Sequence, residues 1–494
     1  MSAALDSAQD PRALKGNMKR PNVLFVFADE WRAQATRYAG DPNCETPTLD
    51  ALAAGSVNVT HAVSGCPVCC PYRASLLTGQ YPLTHGVFIN DVELDPRCHS
   101  IARAFGAGGY HTGYIGKWHV YGSPEGRCER RQQFVPRSHQ MGFDEWQGFE
   151  CTHNYQTSRY YCNDDPTPRL WDGYDAFPQS RAAVEYMAER KRTGEPFLLM
   201  LSWGPPHFPL HTAPDPYRAR YAGRELALRD NVPAGRHDHA QEELRGYYAH
   251  IAALDDALKI VLDGLRDLGL ADDTIVVFTS DHGDMRQSQG LETKLFPWDE
   301  SIRVPFLLRH PGLPRSAGTR VPAPIDAPDI MPTLLRLCDL HVPDSVEGRD
   351  WSAEITGRRP VDADSDALLG VAAETTELRF NGMHAWRGLR TLRYTYVRNT
   401  EGPWLLYDNE ADPYQKCNLI GDPEHRCLAE KLDRRLTVRL AERGDEFLPG
   451  AAYLARAGLS HYREAHSSFQ RTWRDPWAES GGLGAATEGR ETVR

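Results

Sequence analysis

The 494-residue sequence lacks any unbroken apolar run of the roughly 20 residues that a membrane-spanning helix needs, which excludes a helical membrane protein. It also lacks a basic excess. Its formal net charge is −11, and without a cationic face it has no means of displacing counterions from nucleic-acid phosphates. The first twenty residues, MSAALDSAQDPRALKGNMKR, are polar with no apolar h-region, so the expected location is the cytoplasm. The eleven cysteines, an odd number scattered from Cys44 to Cys427, suit reduced thiols rather than a disulfide framework. No internal repeat is present. The length exceeds one compact unit, and a large domain with a smaller partner is expected.

What is present is a series of short apolar runs, each ending in a polar residue. PNVLFVFA ends at Asp29, HTGYIG near Lys117, PFLLMLSW before His207 and TIVVFTS at Asp281, and VPFLLR begins at Val304. Such runs are strands covered on both faces. Helical patterns lie between several of them, the clearest from Glu242 to Leu270. Strands alternating with helices predict an α/β fold with a large, mostly parallel central sheet flanked by helices. Beyond residue 365 shorter alternating segments predict an antiparallel sheet closed by a helix from Arg426 to Arg443. The expected organisation is a polar extension over 1–20, a catalytic domain over 21–365 and an α+β subdomain over 366–455. The tail, 456–494, is expected to be partly disordered or to pack on another copy of the chain.

In an open α/β sheet, ligands bind outside the carboxyl ends of the strands. Asp29, Lys117, His119, His207, Asp281 and His282 each follow a predicted strand and therefore converge on one crevice. Singly, each has an ordinary reading as a helix cap, a surface charge or a loop residue; as a set they point to a site. Asp29, Glu30 and Asp281 are hard oxygen donors for a divalent cation, and His282 adds a nitrogen donor that admits manganese and similar ions. Lys117, His119, His207 and Lys294 would surround the remaining oxygens of an anionic ester.

The stretch GCPVCCPYRASLLTGQYP, residues 65 to 82, belongs at the same place. Pro71 suits the first turn of a helix ending at Gly79, which puts Cys69 at or near the N-cap. There a thiol faces free backbone N–H groups and the positive end of the helix dipole, which lowers its pKa and attracts a tetrahedral anion. Arg73 follows one turn later. A zinc reading of CPVCC has no matching second Cys or His pair, and Cys66 and Cys70 read as buried structural thiols.

With these residues in view, the sequence resembles the type I, formylglycine-dependent sulfatases of the alkaline phosphatase superfamily. CCPYRASLLTG aligns Cys69, Pro71 and Arg73 with the family's Cys-x-Pro-Ser-Arg signature, with Tyr72 in place of the usual serine. PNVLFVFADEW, GYHTGYIGKWH, PPHFP, FTSDHGD with Lys294, ESIRVPFLLRHPG and LLYDNEADPYQKCNLIGDP resemble further family segments in the same order. Two departures stand out. The usual Asp-Asp pair is Asp29-Glu30, and the usual Asp-Asn pair is Asp281-His282, a form also found in iduronate sulfatase-like, choline sulfatase-like and phosphonate monoester hydrolase-like members.

The resemblance implies that a formylglycine-generating enzyme oxidises Cys69 to an aldehyde, whose hydrate attacks the sulfur of a sulfate ester with help from Asp281 and one divalent metal. Ca2+ is the leading candidate for that metal, followed by Mn2+ and Mg2+. Asp29, Glu30, Asp281, His282 and the residue derived from Cys69 would be its ligands. His207 and Lys294 would hold the sulfate and protonate the leaving oxygen, His119 with Lys117 would take the proton that releases sulfate, and Arg73 would steady the local charge. The substrate would be a small-molecule or carbohydrate sulfate. The rival readings are a phosphonate monoester or phosphodiester hydrolase with the same nucleophile, and an unmodified anion-binding homologue. The aromatic segment from Gly148 to Asp172 is a candidate lid over the site, or else an ordinary surface excursion.

Overall fold

A computed structural model describes residues 20–313 and 318–462. Residues 463–494, and with them most of the tail considered above, lie outside the described residues. Of that tail, Tyr462 is buried on its own chain, its hydroxyl donating to the carbonyls of Asp91 and Ser123.

Ten strands form the main sheet. Its centre is five parallel strands, in the spatial order Thr274–Ser280, Asn22–Asp29, Phe197–Pro206, His111–Lys117 and Glu145–Phe149. On one side the antiparallel strand Phe306–Arg309 leads to Val57–Val59 and Arg320–Val321. On the other, the hairpin Arg159–Cys162 and Asp165–Leu170 extends the edge, so much of the segment suspected of being a lid is sheet. The sheet is mixed and mostly parallel, as the apolar runs predict.

The central strand shows why those runs are continuous. Val23, Phe25 and Phe27 face one core, with the helices Cys69–Thr78, Ile101–Ala107 and Ala327–Leu337. Leu24, Val26 and Ala28 face the other, beneath Ala176–Thr193 and the long helix His237–Asp267. A strand with two apolar faces cannot alternate with polar residues. Burying each large side chain contributes roughly 1.5–3 kcal/mol.

The four antiparallel strands Asp366–Val371, Trp386–Thr391, Tyr394–Asn399 and Gly402–Asp408 form a second sheet, covered by the helix Arg426–Glu442 through Leu432, Leu436 and Leu440. Its other face shares a core with Val63, Cys66, Val68, Leu295 and Phe296, which belong to segments around the carboxyl ends of the main sheet. That packing brings the smaller sheet up to the crevice.

Candidate active site

Asp29 ends its strand and Asp281 follows the neighbouring one, where Ala28 pairs with Ser280, so parallel register sets the two carboxylates side by side. Between them and the helix Cys69–Thr78 lies Arg73. Its guanidinium donates to Asp281 Oδ2 at 3.0 Å, Asp29 Oδ2 at 3.1 Å, the Lys117 carbonyl at 2.9 Å and Ser202 Oγ at 2.8 Å. Lys117 Nζ adds a contact of 2.5 Å to Asp29 Oδ2. One oxygen of each carboxylate is thus held by cations, and the other faces inward.

The inward oxygens meet two more donors. His282 Nε2 lies 3.7 Å from Asp29 Oδ1, 3.6 Å from Asp281 Oδ1 and 3.2 Å from Cys69 Sγ, and Cys69 Sγ is 3.6 Å from Asp29 Oδ1. The four ligand atoms lie within 4.8 Å of one another, and all four residues are buried. His282 Nδ1 sits 2.9 Å from the Gly283 carbonyl, a pairing that assigns the proton to Nδ1 and leaves Nε2 as a donor to a cation. The electrostatics agree. Burial would lower the His282 pKa, but the Asp281 charge together with Cys69 outweighs it and raises it to about 9. Burial and the neighbouring Asp29 push Asp281 up to about 6. A site that binds a proton this strongly favours a cation, and its two carboxylate oxygens suit a hard divalent ion.

Cys69, expected at or near the N-cap, is the first residue of its helix, next to the N-cap Val68. Lys294 Nζ stands 3.5 Å and Lys117 Nζ 4.0 Å from its sulfur. Burial and Asp29 would raise the thiol pKa, but Lys117, Lys294 and His282 outweigh them and hold it well below its usual value. Lys294 Nζ also lies 2.8 Å from His207 Nε2, while His207 Nδ1 is 2.9 Å from the Phe208 carbonyl. The imidazole therefore accepts from Lys294, and burial together with that ammonium charge keeps it neutral. His119 lies 3.6 Å from Asp91 Oδ1.

The structure brings together Asp29, Cys69, Arg73, Lys117, His119, His207, Asp281, His282 and Lys294. It places Glu30 differently from its neighbour. With a backbone φ of 72°, the Glu30 carboxylate turns toward His207 Nε2 at 3.4 Å and Lys294 Nζ at 3.5 Å, in a second group with Asp29 and His207 rather than in the four-donor cluster.

A cavity of about 360 Å³ opens over Cys69, Lys117, His119, His207 and Lys294. Several residues on the cavity or directly behind it carried no signal that isolated them in the sequence. His153 stacks on His207 at 4.6 Å and 12°; it belongs to the suspected lid, which marked the segment but not the residue. Asp91 pairs with Arg131 at 2.7 Å as well as with His119. Asn90 Oδ1 accepts from the Cys70 backbone N–H at 3.0 Å. Tyr72, the departure from the signature, points into the core with Cys70 and Leu76 and does not line the cavity.

Comparison with known proteins decides the family. The sulfatase family model matches residues 21–340, and the model for the C-terminal region of N-sulphoglucosamine sulphohydrolase matches residues 288–442. The chain belongs to the sulfatase family. This sulfatase is 44% identical over 442 residues to the ulvan-active sulfatase of Formosa agariphila, an alignment covering 88% of this chain and 84% of that one. It is 30% identical to the endo-4-O-sulfatase of Bacteroides thetaiotaomicron over 90% of this chain and 96% of the other. The solved structure of yidJ from Bacteroides fragilis, assigned as a sulfatase, superposes with a TM-score of 0.78 at 27% identity, covering 89% of this chain and 99% of that one. The fold is that of the alkaline phosphatase-like sulfatases, and the protein is a sulfuric ester hydrolase.

Proposed function

We propose that this sulfatase hydrolyses a sulfate ester carried by a carbohydrate, using a formylglycine made from Cys69 in the cytoplasm by a formylglycine-generating enzyme, and one divalent cation, Ca2+ before Mn2+ or Mg2+. The observation that carries this reading is the position of Cys69. Its sulfur is at once a member of the four-donor cluster, a neighbour of two lysines and part of the wall of the cavity. Eleven free cysteines support a reducing compartment, and the relative named for its activity on ulvan supports a polysaccharide-derived ester.

Asp29, Asp281, His282 and the oxygen that replaces the Cys69 sulfur would hold the cation, which together with the hydrated aldehyde supplies an ionised oxygen nucleophile. Lys294 and Lys117, flanking that position at 3.5 and 4.0 Å, bind the sulfate oxygens and offset their charge. Within the Lys294–His207 pair the proton offered to the leaving oxygen would come from Lys294, since His207 is neutral and accepts from it at 2.8 Å. His207 therefore aims that ammonium, and Glu30 steadies both. His119, beside Asp91, is placed to take the proton whose loss frees the product. Arg73 keeps the two carboxylates parallel.

The test is sulfate release, followed by ion chromatography, from ulvan oligosaccharides and 4-nitrophenyl sulfate beside a phosphonate monoester and a phosphodiester. The sulfate esters should give the higher kcat/KM, and Cys69→Ala should abolish release while keeping the wild-type melting temperature. A higher kcat/KM on the phosphonate, or full activity in Cys69→Ala, contradicts the proposal.

A further inference from the structure

The cavity wall facing His207 and His153 is built by the smaller sheet. Between its strands Asp366–Val371 and Trp386–Thr391 lies the short helix Thr376–Phe380, and Thr375, Glu377 and Phe380 from this excursion line the same cavity as Cys69 and Lys294. None of the three belongs to a segment that the sequence marked for chemistry, and none is needed to bind sulfate or to activate the nucleophile.

Their chemistry forms a pattern. Phe380 is 68% exposed, one of the few large apolar side chains left in water among the described residues. An exposed ring at a cavity wall costs solubility unless something covers it. Thr375 Oγ1 is buried with no hydrogen-bond partner, an unmet polar group facing the place a ligand would fill. Glu377 lines this cavity together with Lys117, Lys294 and Cys69; burial raises its carboxyl pKa, and the Lys294 ammonium works in the other direction and favours the carboxylate. Arg131, on the same cavity, is committed to Asp91 through contacts of 2.9 and 2.7 Å.

We propose that Thr375, Glu377 and Phe380 form the recognition site for the sugar that leaves. Phe380 covers the C–H face of the ring, Glu377 accepts a hydrogen bond from a hydroxyl next to the sulfate ester, and Thr375 meets a further oxygen. The inference rests on the carbohydrate sulfatase reading and narrows it. A carboxylate or second sulfate on the carbon next to the ester would be driven against Glu377, so the preferred substrate is a sulfated neutral sugar with a free vicinal hydroxyl. An aryl sulfate, which has neither the hydroxyl nor the pyranose face, bypasses most of this site. Selectivity of this kind is large because a wrong substrate leaves the buried acceptor unpaired.

The experiment uses the converted, Ca2+-loaded full chain and its Glu377→Ala, Glu377→Gln and Phe380→Ala variants. The probes are 4-nitrophenyl sulfate, rhamnose 3-sulfate, galactose 4-sulfate and galacturonate 4-sulfate, whose carboxylate is on the carbon next to the ester. The quantity read is the ratio of kcat/KM for the better neutral sugar sulfate to that for the aryl sulfate. Glu377→Ala should lower this ratio by about tenfold or more, mainly through KM, as the loss of one charged-acceptor hydrogen bond requires. Glu377→Gln should fall between Ala and wild type and should raise galacturonate 4-sulfate relative to galactose 4-sulfate; Phe380→Ala should raise KM for sugars more than for the aryl ester. Unchanged ratios overturn the proposal, as does a wild type that cleaves the aryl sulfate but no neutral sugar sulfate; in either case the sulfatase reading stands. If the wild type releases sulfate from no probe, it is that reading which fails. Calorimetry then decides the sugar site: rhamnose 3-sulfate should bind the unconverted chain more weakly after Phe380→Ala, and equal binding overturns the proposal.

Discussion

At the residue scale the site depends on Arg73 holding two buried carboxylates against their repulsion. It shares its fork between Asp29 and Asp281 and ties both to the strand beyond through the Lys117 carbonyl and Ser202. A lysine has one point charge and cannot span four acceptors. Arg73→Ala takes from Asp281 the cation hydrogen-bonded to its Oδ2 and leaves it His282 at 3.6 Å, and breaking a buried pair in this way costs about 3–5 kcal/mol. Denaturant unfolding in chelator should show a loss of that size, with Arg73→Lys in between; a loss below about 1 kcal/mol would mean the clamp is not what holds these carboxylates. Arg73 and Cys69 were legible because three residues of one helix, Cys69, Pro71 and Arg73, carry the signature. His153 and Glu377, which line the cavity, and Asp91, which pairs with His119 and Arg131 on it, were not, because each comes from a loop or short helix whose position only tertiary packing decides.

At the element scale, the site is made by tight chain reversals at strand ends. Gly116 has φ 106°, and a Cβ there would lie 2.0 Å from the Ser202 carbonyl oxygen, so only glycine lets the Lys117 strand sit against its neighbour. Glu30 and His119 adopt left-handed backbone at φ 72° and 57°, the local strain that gathers where side chains must be aimed. The helix Ala327–Leu337 is held by a capping box in which Asp326 also accepts from the Gly65 N–H at 2.7 Å, just before the Cys69 segment. Burial, reinforced by Asp329, raises the Asp326 pKa to about 7. In the unfolded chain it titrates near 4. Because the folded pKa is the higher one, the stabilising contribution is full below about pH 4 and is lost as pH rises toward 7, levelling off above that. Asp326→Asn retains an acceptor and removes the titration. Its melting temperature, measured against wild type from pH 4.5 to 8, should improve relatively up to about pH 7 and then hold constant; a difference that does not change with pH contradicts the assignment.

At the scale of the whole molecule, the sequence shows the parallel sheet because two-faced burial leaves an unmistakable run such as NVLFVFAD. The convergence of Asp29, Lys117, His207 and Asp281 follows from the same runs, since parallel strands share one carboxyl edge. The partnership of the two sheets was not legible. The shared core joins Val68 and Leu295 to Leu369 and Trp386, pairs distant in sequence whose individual patterns show burial but not against what. That docking brings Thr375–Phe380 into the cavity, so substrate choice lies with the smaller sheet while the charge chemistry lies with the larger. The central claim is that Cys69 becomes the nucleophile, and one measurement on the whole purified protein tests it. Trypsin should release the peptide from Tyr38 to Arg73, which holds Cys44, Cys66, Cys69 and Cys70. After alkylation, mass spectrometry of protein made in a host that carries the converting enzyme should show three alkylated thiols and an aldehyde at position 69. Four alkylated thiols would contradict the account.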